Sequence, residues 1–132
     1  MEDYDKNILI KHRIEKSKET IEDARVAIEN DRFRNALNRI YYSIFYIVSA
    51  LSVKNNFSTS KHKQLLGWFN KNFVHEGIVS TQLGNIYKIS YDNRQENDYE
   101  DFVEFKKDDI VKYNNDMLLF VSEIEKLILT DM

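Results

Sequence analysis

Hydrophobic residues recur every three or four positions along most of the chain, which is the spacing of one face of an α-helix. The strongest stretch runs from residue 33 to residue 51, where a largely aliphatic row has a second, mostly aromatic row beside it. The first row comprises Phe33, Leu37, Ile40, Ile44, Ile47 and Leu51, and the second comprises Tyr41, Phe45 and Val48. Because a helix that is apolar on much of its circumference must be covered on several sides, we expect it at the centre of a bundle.

The same spacing predicts one helix before the central one and three after it. The first is expected from about residue 3 to residue 30, and it has a single apolar stripe. A polar segment at 52–60 separates the central helix from the third, and a mostly acidic connection at 95–107 separates the fourth from the last. No stretch shows the alternation of a β-strand. We therefore predict an all-α, up-and-down bundle of four to five helices that forms one domain over residues 1–132.

Residues of the types that cap helix N-termini stand before each of the later helices. The expected caps are Asp31 for the central helix, Thr59 or Ser60 for the third, Ser80 or Thr81 for the fourth, and Asp108 or Asp109 for the last.

Composition narrows the function classes. The chain has no cysteine, so disulfides and thiol chemistry are excluded. The polar start is unlike a signal peptide, and the longest apolar run is shorter than the ~20 residues of a membrane span, so a cytoplasmic protein is expected.

Residues 40–91 carry one acid and five lysines, whereas residues 92–109 carry eight acids and three bases. Since no strongly basic stripe results, any contact with RNA is expected to be local, while either charged surface could serve self-association or a charged partner.

The common local motifs of catalysis and metal binding are not found. The three histidines, His12, His62 and His75, are too far apart in the sequence for a local metal motif. The isolated glycines do not form a phosphate-binding loop, and no serine lies in a nucleophile elbow. We therefore expect no metal and no cofactor.

The segment Asn93-Arg94-Gln95-Glu96-Asn97-Asp98-Tyr99 is the most unusual polar stretch. On the structural interpretation, Arg94 and Asp98 form an i,i+4 helical ion pair and Tyr99 packs against the bundle. On the functional interpretation, the three side chains belong to a site.

Two motifs and their order support the functional interpretation. The central helix reads RNALNRIYYSIFYIVSAL, the segment after the fourth helix reads YDNRQENDYEDF, and Ser60-Lys61-His62 stands between them. Together they resemble the HEPN superfamily of prokaryotic helical domains, in the branch that carries Arg-Gln-x-x-Asp-Tyr, over roughly residues 21–128. The resemblance implies a helical bundle that pairs into a homodimer. It also implies a partner encoded nearby, a minimal nucleotidyltransferase that acts as the antitoxin of a toxin–antitoxin module.

Many HEPN proteins are metal-independent ribonucleases in which an arginine is followed after four to six residues by a histidine. The resemblance maps that arginine to Arg94, but positions 99–101 are Tyr, Glu and Asp. An imidazole, with a pKa near 6.5, suits proton transfer at neutral pH, whereas an ordinary carboxylate or phenol does not. Arg94 could still bind a phosphate through charged hydrogen bonds. The motif thus leaves ribonuclease activity open.

The remaining candidate residues follow from the same resemblance. Arg94, Asp98 and Tyr99 are the expected catalytic or cleft residues, and Arg39, Asn93 and His62 are the expected binding or site-supporting residues. Arg39 is expected to pair with Asp98. His62 is expected to face solvent or cap its helix rather than replace the missing histidine. Tyr99 is the nearest equivalent of a tyrosine that the nucleotidyltransferase adenylylates in some family pairs.

Three functions remain open on the sequence. The first is a dimeric HEPN toxin-like protein that acts on or binds RNA or a nucleotide through a cleft around Arg94. The second is a non-catalytic binding or regulatory subunit of the nucleotidyltransferase, which the missing histidine favours. The third is an unrelated helical scaffold protein.

Overall fold

The computed structural model describes the backbone of residues 3–99 and 104–130, and the side chains of residues 3–95 and 104–130. Within these ranges the chain forms α1 (Asp3–Glu29), α2 (Phe33–Lys54), α3 (His62–Phe69), α4 (Thr81–Tyr99) and α5 (Lys107–Leu129). A π-helical turn, Asn70–Val74, continues directly from α3. The described residues contain no strand. The predicted all-α class and helical bundle are confirmed.

Helix α2 lies at the centre and packs against each of the other four helices. Both rows of its predicted apolar face are buried, with the exception of Phe33, which is half-buried. The core around α2 takes its largest side chains from all five helices, and it includes Ile10, Tyr41, Ile44, Phe69, Tyr87, Phe120 and Ile124. Asn38 and Arg39 of α2 are half-buried, which places them at the border of this buried face.

The central helix is longer than its apolar row suggested. It ends at Lys54, and an 18-residue window within it has a mean hydropathy of 1.2. By length and composition this helix could cross a membrane, whereas the sequence analysis expected no apolar run long enough to do so. However, 72% of that window is buried inside the bundle. The apolar character of α2 is therefore accounted for by its position in a protein core.

Only one of the four predicted caps forms as expected. The hydroxyl of Ser80 accepts a hydrogen bond from the backbone N–H of Leu83 at 3.2 Å, which caps the start of α4. Helices α3 and α5 instead follow Lys61 and Lys106, whose side chains do not cap them. Asp108 and Asp109 lie within the first turn of α5. These expectations were wrong because the helices begin one or two residues away from the cap-type side chains.

The turn between α1 and α2 shows why Asp31 does not cap the central helix. Its φ of 55° is in the left-handed region, whereas an N-cap residue normally has an extended backbone. Asp31 instead makes the tight reversal of the chain and lies 3.1 Å from Lys107 Nζ of α5. The N-cap position is taken by Arg32, whose side chain makes no capping hydrogen bond.

Candidate functional site

The guanidinium of Arg94, near the end of α4, lies against two aromatic rings of α2. Its central carbon is 5.2 Å from the ring centre of Tyr41 and 5.3 Å from that of Tyr42. Tyr41 is fully buried and Arg94 is half-buried. At these distances the positive charge is attracted to the negative faces of the rings. The two tyrosines therefore hold Arg94 beside the central helix.

A second arginine lies against the same tyrosine. The central carbon of the Arg39 guanidinium is 5.3 Å from the ring centre of Tyr42. Its Nε and Nη2 also donate to Oδ1 of Asn38, at 3.0 and 2.6 Å. Tyr42 thus lies in contact with two permanent positive charges, one from α2 itself and one from α4.

His62, the first residue of α3, is packed into the same region. Its Nδ1 lies 2.7 Å from the hydroxyl of Tyr41, and its ring stacks on that of Phe45 with the centres 4.3 Å apart. The expectation that His62 faces solvent or caps its helix is wrong, because the first turn of α3 lies on α2 and Lys61 takes the N-cap position. Burial, and secondarily the charge of Arg94, lower the pKa of His62. Its imidazole is therefore neutral at pH 7.

The hydroxyl of Tyr41 remains protonated at the same pH. Burial raises the pKa of Tyr41 well above its usual value, although the charge of Arg94 opposes this effect. A phenol can donate to, or accept from, an imidazole nitrogen, and the tautomer of His62 decides which. The hydrogen bond between Tyr41 and His62 thus links two neutral groups next to a permanent cation.

We call Arg39, Tyr41, Tyr42, His62 and Arg94 the arginine–histidine cluster. It combines two guanidinium groups, which bind phosphate or carboxylate oxygens, with a neutral imidazole that can accept a proton. Among the residues that the structure describes, no group of three histidine or acidic side chains is arranged to hold a metal ion. The side chains of the cluster are of the types that bind anions and transfer protons.

The other site residues that the sequence suggested are placed less directly. Asn93 is half-buried, and its Nδ2 has no hydrogen-bond partner among the described residues. The helical backbone of α4 includes Asp98 and Tyr99, but their side chains lie outside the described residues. The proposed pair of Arg39 with Asp98 and the role of Tyr99 therefore stay predictions.

Sequence reasoning missed the contacts of two tyrosines with the arginines, because Arg94 lies against both Tyr41 and Tyr42 and Arg39 lies against Tyr42. A signal for them exists in the chain, because Tyr41 and Tyr42 follow Asn38 and Arg39 directly in an otherwise mostly aliphatic helix. Periodicity assigned Tyr41 to the core, and it is buried there. Its hydroxyl nevertheless reaches the edge of the core and meets His62.

An open cavity of about 570 Å³ adjoins the cluster at Arg39. It lies between the end of α1 and the start of α2 and is lined by Asp23, Val26, Ala27, Asn30, Arg32, Asn35 and Arg39. A ligand that reaches Arg39 therefore has room to extend away from Arg94.

Comparison with known proteins relates this chain to one protein family and to several named proteins. A model of the HEPN domain matches residues 10–127, a range that contains the whole cluster. A UPF0332 protein of Thermotoga maritima is 36% identical over 124 residues, which cover 94% of each chain. Two proteins of Methanocaldococcus jannaschii, each named "Putative toxin", are also similar. One is 27% identical over 89% of this chain and 80% of its own length, and the other is 35% identical over 65% and 64%.

Proposed function

This chain belongs to the HEPN domain family, and from that premise we propose that it is a toxin-like protein that binds a phosphate group of RNA or of a nucleotide at the arginine–histidine cluster. The names of the two Methanocaldococcus jannaschii relatives support the toxin-like part of this proposal. The geometry of the cluster supports the phosphate-binding part.

The convergence of two guanidinium groups on Tyr42 is the observation that carries the proposal. When the flat face of a guanidinium lies on an aromatic ring, the N–H groups at the edge of the guanidinium can still point toward a phosphate. Two of these N–H donors match two phosphate oxygens. The rings also restrict the motion of the arginines before the ligand arrives, which reduces the entropy lost on binding. The cluster is therefore preorganised for an anion.

The charge of the whole chain favours a local contact over a broad one. The net charge is −3, and residues 40–91 are the basic part of the sequence. RNA would thus be attracted to the lysines of residues 40–91 and to Arg94, and repelled by the acids that flank Arg94 within residues 92–109. We expect binding to weaken with salt, with a slope that corresponds to only a few phosphate contacts.

A growth assay tests the toxin-like part. Expression of the wild-type chain without its genomic neighbours is expected to slow the growth of the host, and Arg94→Ala is expected to relieve this effect. Arg25→Ala is the matched control, because Arg25 is an exposed arginine of α1 that pairs with Glu22 and Glu29 of the same helix. Normal growth with well-expressed wild-type protein would contradict the proposal.

A binding assay tests the phosphate-binding part with purified protein. Fluorescence anisotropy with a short single-stranded RNA should show that Arg94→Ala weakens binding by about 10- to 100-fold. This loss is expected because the variant lacks the charge-assisted bidentate contact to a phosphate. Arg94→Lys should recover part of the loss, and Arg25→Ala should stay within about twofold of wild type. Equal affinity of wild type and Arg94→Ala would place any phosphate site elsewhere.

One observation favours a second function. Positions 99–101 are Tyr, Glu and Asp, so the motif contains no histidine of its own. On this alternative the chain is a non-catalytic binding or regulatory subunit of a minimal nucleotidyltransferase and acts with it in the cytoplasm. Coexpression with a nucleotidyltransferase encoded next to it should then yield a stable complex, while RNA incubated with the chain alone remains intact.

A further inference from the structure

We infer that the outward side of α3 is a docking surface for an acidic, amphipathic helix of a partner protein. We call this surface the glycine face of α3. It comprises Lys63, Gln64 and Gly67 of α3 and Lys71 of the π-helical turn, all of which are exposed. The buried Leu65 and Leu66 point to the other side of the helix. The inference goes beyond the proposed function, because no residue of this face belongs to the arginine–histidine cluster.

Gly67 is the observation that first marks this face. The fold accounts for the other two glycines, because Gly77 has a φ of 75° and a Cβ at Gly84 would lie 3.0 Å from Val74. Gly67 lies inside α3, and a Cβ there would have no atom within 4 Å. After proline, glycine is the least favourable residue in a helix interior, and one of its uses is to let another molecule approach the backbone closely. The bare backbone at Gly67 therefore indicates a contact with a second molecule.

Positive charge without acidic partners surrounds the bare backbone. The sequence contains no Asp or Glu between Asp31 and Glu76. Lys63 and Lys71 form no ion pair with any residue that the structure describes. Such charges attract a surface of opposite sign and orient it as it docks. The partner is therefore expected to present carboxylates on both sides of the point where it crosses α3.

A cavity beside α3 provides a place for an apolar side chain of the partner. Trp68, the neighbour of Gly67, stacks in parallel on Phe57 with the ring centres 5.1 Å apart, and both rings are half-buried. Phe57 also lines an open cavity of about 260 Å³ together with Leu9 and Val53. The remaining lining residues are Lys6, Asn56 and Ser58. An apolar side chain that fills such a cavity is a common anchor of a protein interface.

The aromatic rings favour a protein over a nucleic acid as the partner. Single-stranded nucleic acids stack their bases on aromatic side chains, but Trp68 already has Phe57 at 5.1 Å and Phe73 at 5.3 Å from its ring centre. An amphipathic helix needs no open ring. It can cross α3 closely at Gly67, insert an apolar residue into the cavity and direct carboxylates toward Lys63 and Lys71.

A titration with a synthetic peptide tests the inference. The peptide forms a helix with leucines on one side and glutamates on the other, and the control peptide has lysines in place of the glutamates. In ¹⁵N NMR spectra of the wild-type chain at low salt, the acidic peptide is expected to shift the amide signals of residues 63–71 until they saturate. The lysine peptide is expected to leave these signals unchanged.

Variants of the glycine face give the sharpest readout. Gly67→Ala is expected to weaken the affinity for the acidic peptide by about 10-fold, because the added methyl group crowds the contact. The same change should raise Tm by a few degrees, because alanine is the better helix former and its Cβ meets open space in the free chain. Lys63→Glu should also weaken binding. Lys11→Glu, at an exposed lysine of α1, should stay within about twofold of wild type.

The opposite results overturn the inference. They are the absence of saturable shifts in residues 63–71, unchanged affinity of Gly67→Ala, and a fall in its Tm, which would mean that the glycine serves the fold itself. Shifts of the same signals by a single-stranded RNA but not by the acidic peptide would assign the face to nucleic acid and also overturn it. None of these results bears on phosphate binding at the cluster, which Arg94→Ala tests separately. Circular dichroism of each variant shows whether it has kept its helical fold.

Discussion

Two tyrosines in the same core differ in what their hydroxyl groups meet. Tyr41 and Tyr87 are both fully buried, and burial raises the pKa of each. The Tyr41 hydroxyl has His62 as a hydrogen-bond partner, whereas that of Tyr87 has no partner among the described residues. A buried polar group without a partner costs free energy, so the two hydroxyls should have opposite effects on stability.

Removal of each hydroxyl measures this difference. Tyr87→Phe is expected to raise the free energy of unfolding by about 1 kcal/mol, because it deletes an unsatisfied polar group. Tyr41→Phe is expected to lower it by about 1 kcal/mol, because Nδ1 of His62 loses its partner. Urea denaturation of both variants gives the two values. A similar loss in both would mean that the Tyr87 hydroxyl is satisfied in the folded protein.

The pKa of His62 gives the protein a dependence of stability on pH. Because the folded-state pKa lies below that of the unfolded chain, the unfolded chain binds more protons between the two values. The contribution of His62 to the stability is therefore fully present above about pH 6.5, and it is lost as the pH falls through the folded-state pKa of His62. Thermal melts from pH 7 to pH 5 should show a smaller fall in Tm for His62→Gln than for wild type. His75→Gln is the control, and curves that run parallel for all three proteins would contradict the effect.

At the scale of single elements, α4 begins at a capped end and carries Arg94 near its other end. Ser80 satisfies the N–H of Leu83 at its start, and Arg94 extends from its fourth turn onto α2. Between them, Gly84 faces Val74 of the π-helical turn so closely that an added Cβ would lie 3.0 Å from a methyl carbon of Val74. The position of Arg94 thus depends on how α4 is seated along its whole length.

The two serines that the sequence offered as caps provide a matched pair. Ser80→Ala is expected to lower the free energy of unfolding by about 1 kcal/mol, because the N–H of Leu83 loses its acceptor. Ser60→Ala should change it by less than about 0.5 kcal/mol, because Ser60 is exposed and α3 begins after Lys61. Denaturation midpoints compare them directly. An equal loss in both variants would assign a capping role to Ser60 as well.

At the scale of the whole molecule, several apolar side chains of the outer helices are not covered. Val111 and Leu118 are 38% and 41% exposed, and their spacing of seven residues places them on one face of α5. Exposed apolar surface of this kind often serves association. We propose that the chain pairs into a homodimer that uses this face of α5.

Light scattering after size-exclusion chromatography checks the proposed pairing. Wild-type protein is expected to have twice the mass of one chain, and Leu118→Glu is expected to shift it toward the monomer with its helicity retained. Ile8→Glu, at a more exposed apolar position of α1, should remain dimeric. A wild-type monomer at all concentrations would contradict the dimer, and an unchanged Leu118→Glu dimer would place the interface elsewhere.

The sequence by itself determined the helices and their buried faces. Periodicity depends on residues within a few turns of each other, so it marked the inward side of α2 and the last helix without knowledge of their neighbours. The motif segment also identified Arg94 as a residue to examine and showed that positions 99–101 lack an imidazole. Cap-type residues were less reliable, because the helices begin one or two residues away from them, as at Asp31, which lies in a turn with a left-handed backbone.

The arginine–histidine cluster was decided only by the tertiary structure. His62 and Arg94 meet the same two tyrosines because α3 and α4 both pack on α2, and no local spacing encodes the angles at which helices cross. The same packing makes His62, an expected surface residue, a half-buried and neutral imidazole. Local sequence patterns fix which side of a helix is apolar, whereas contacts between distant segments fix which polar groups meet at its edges.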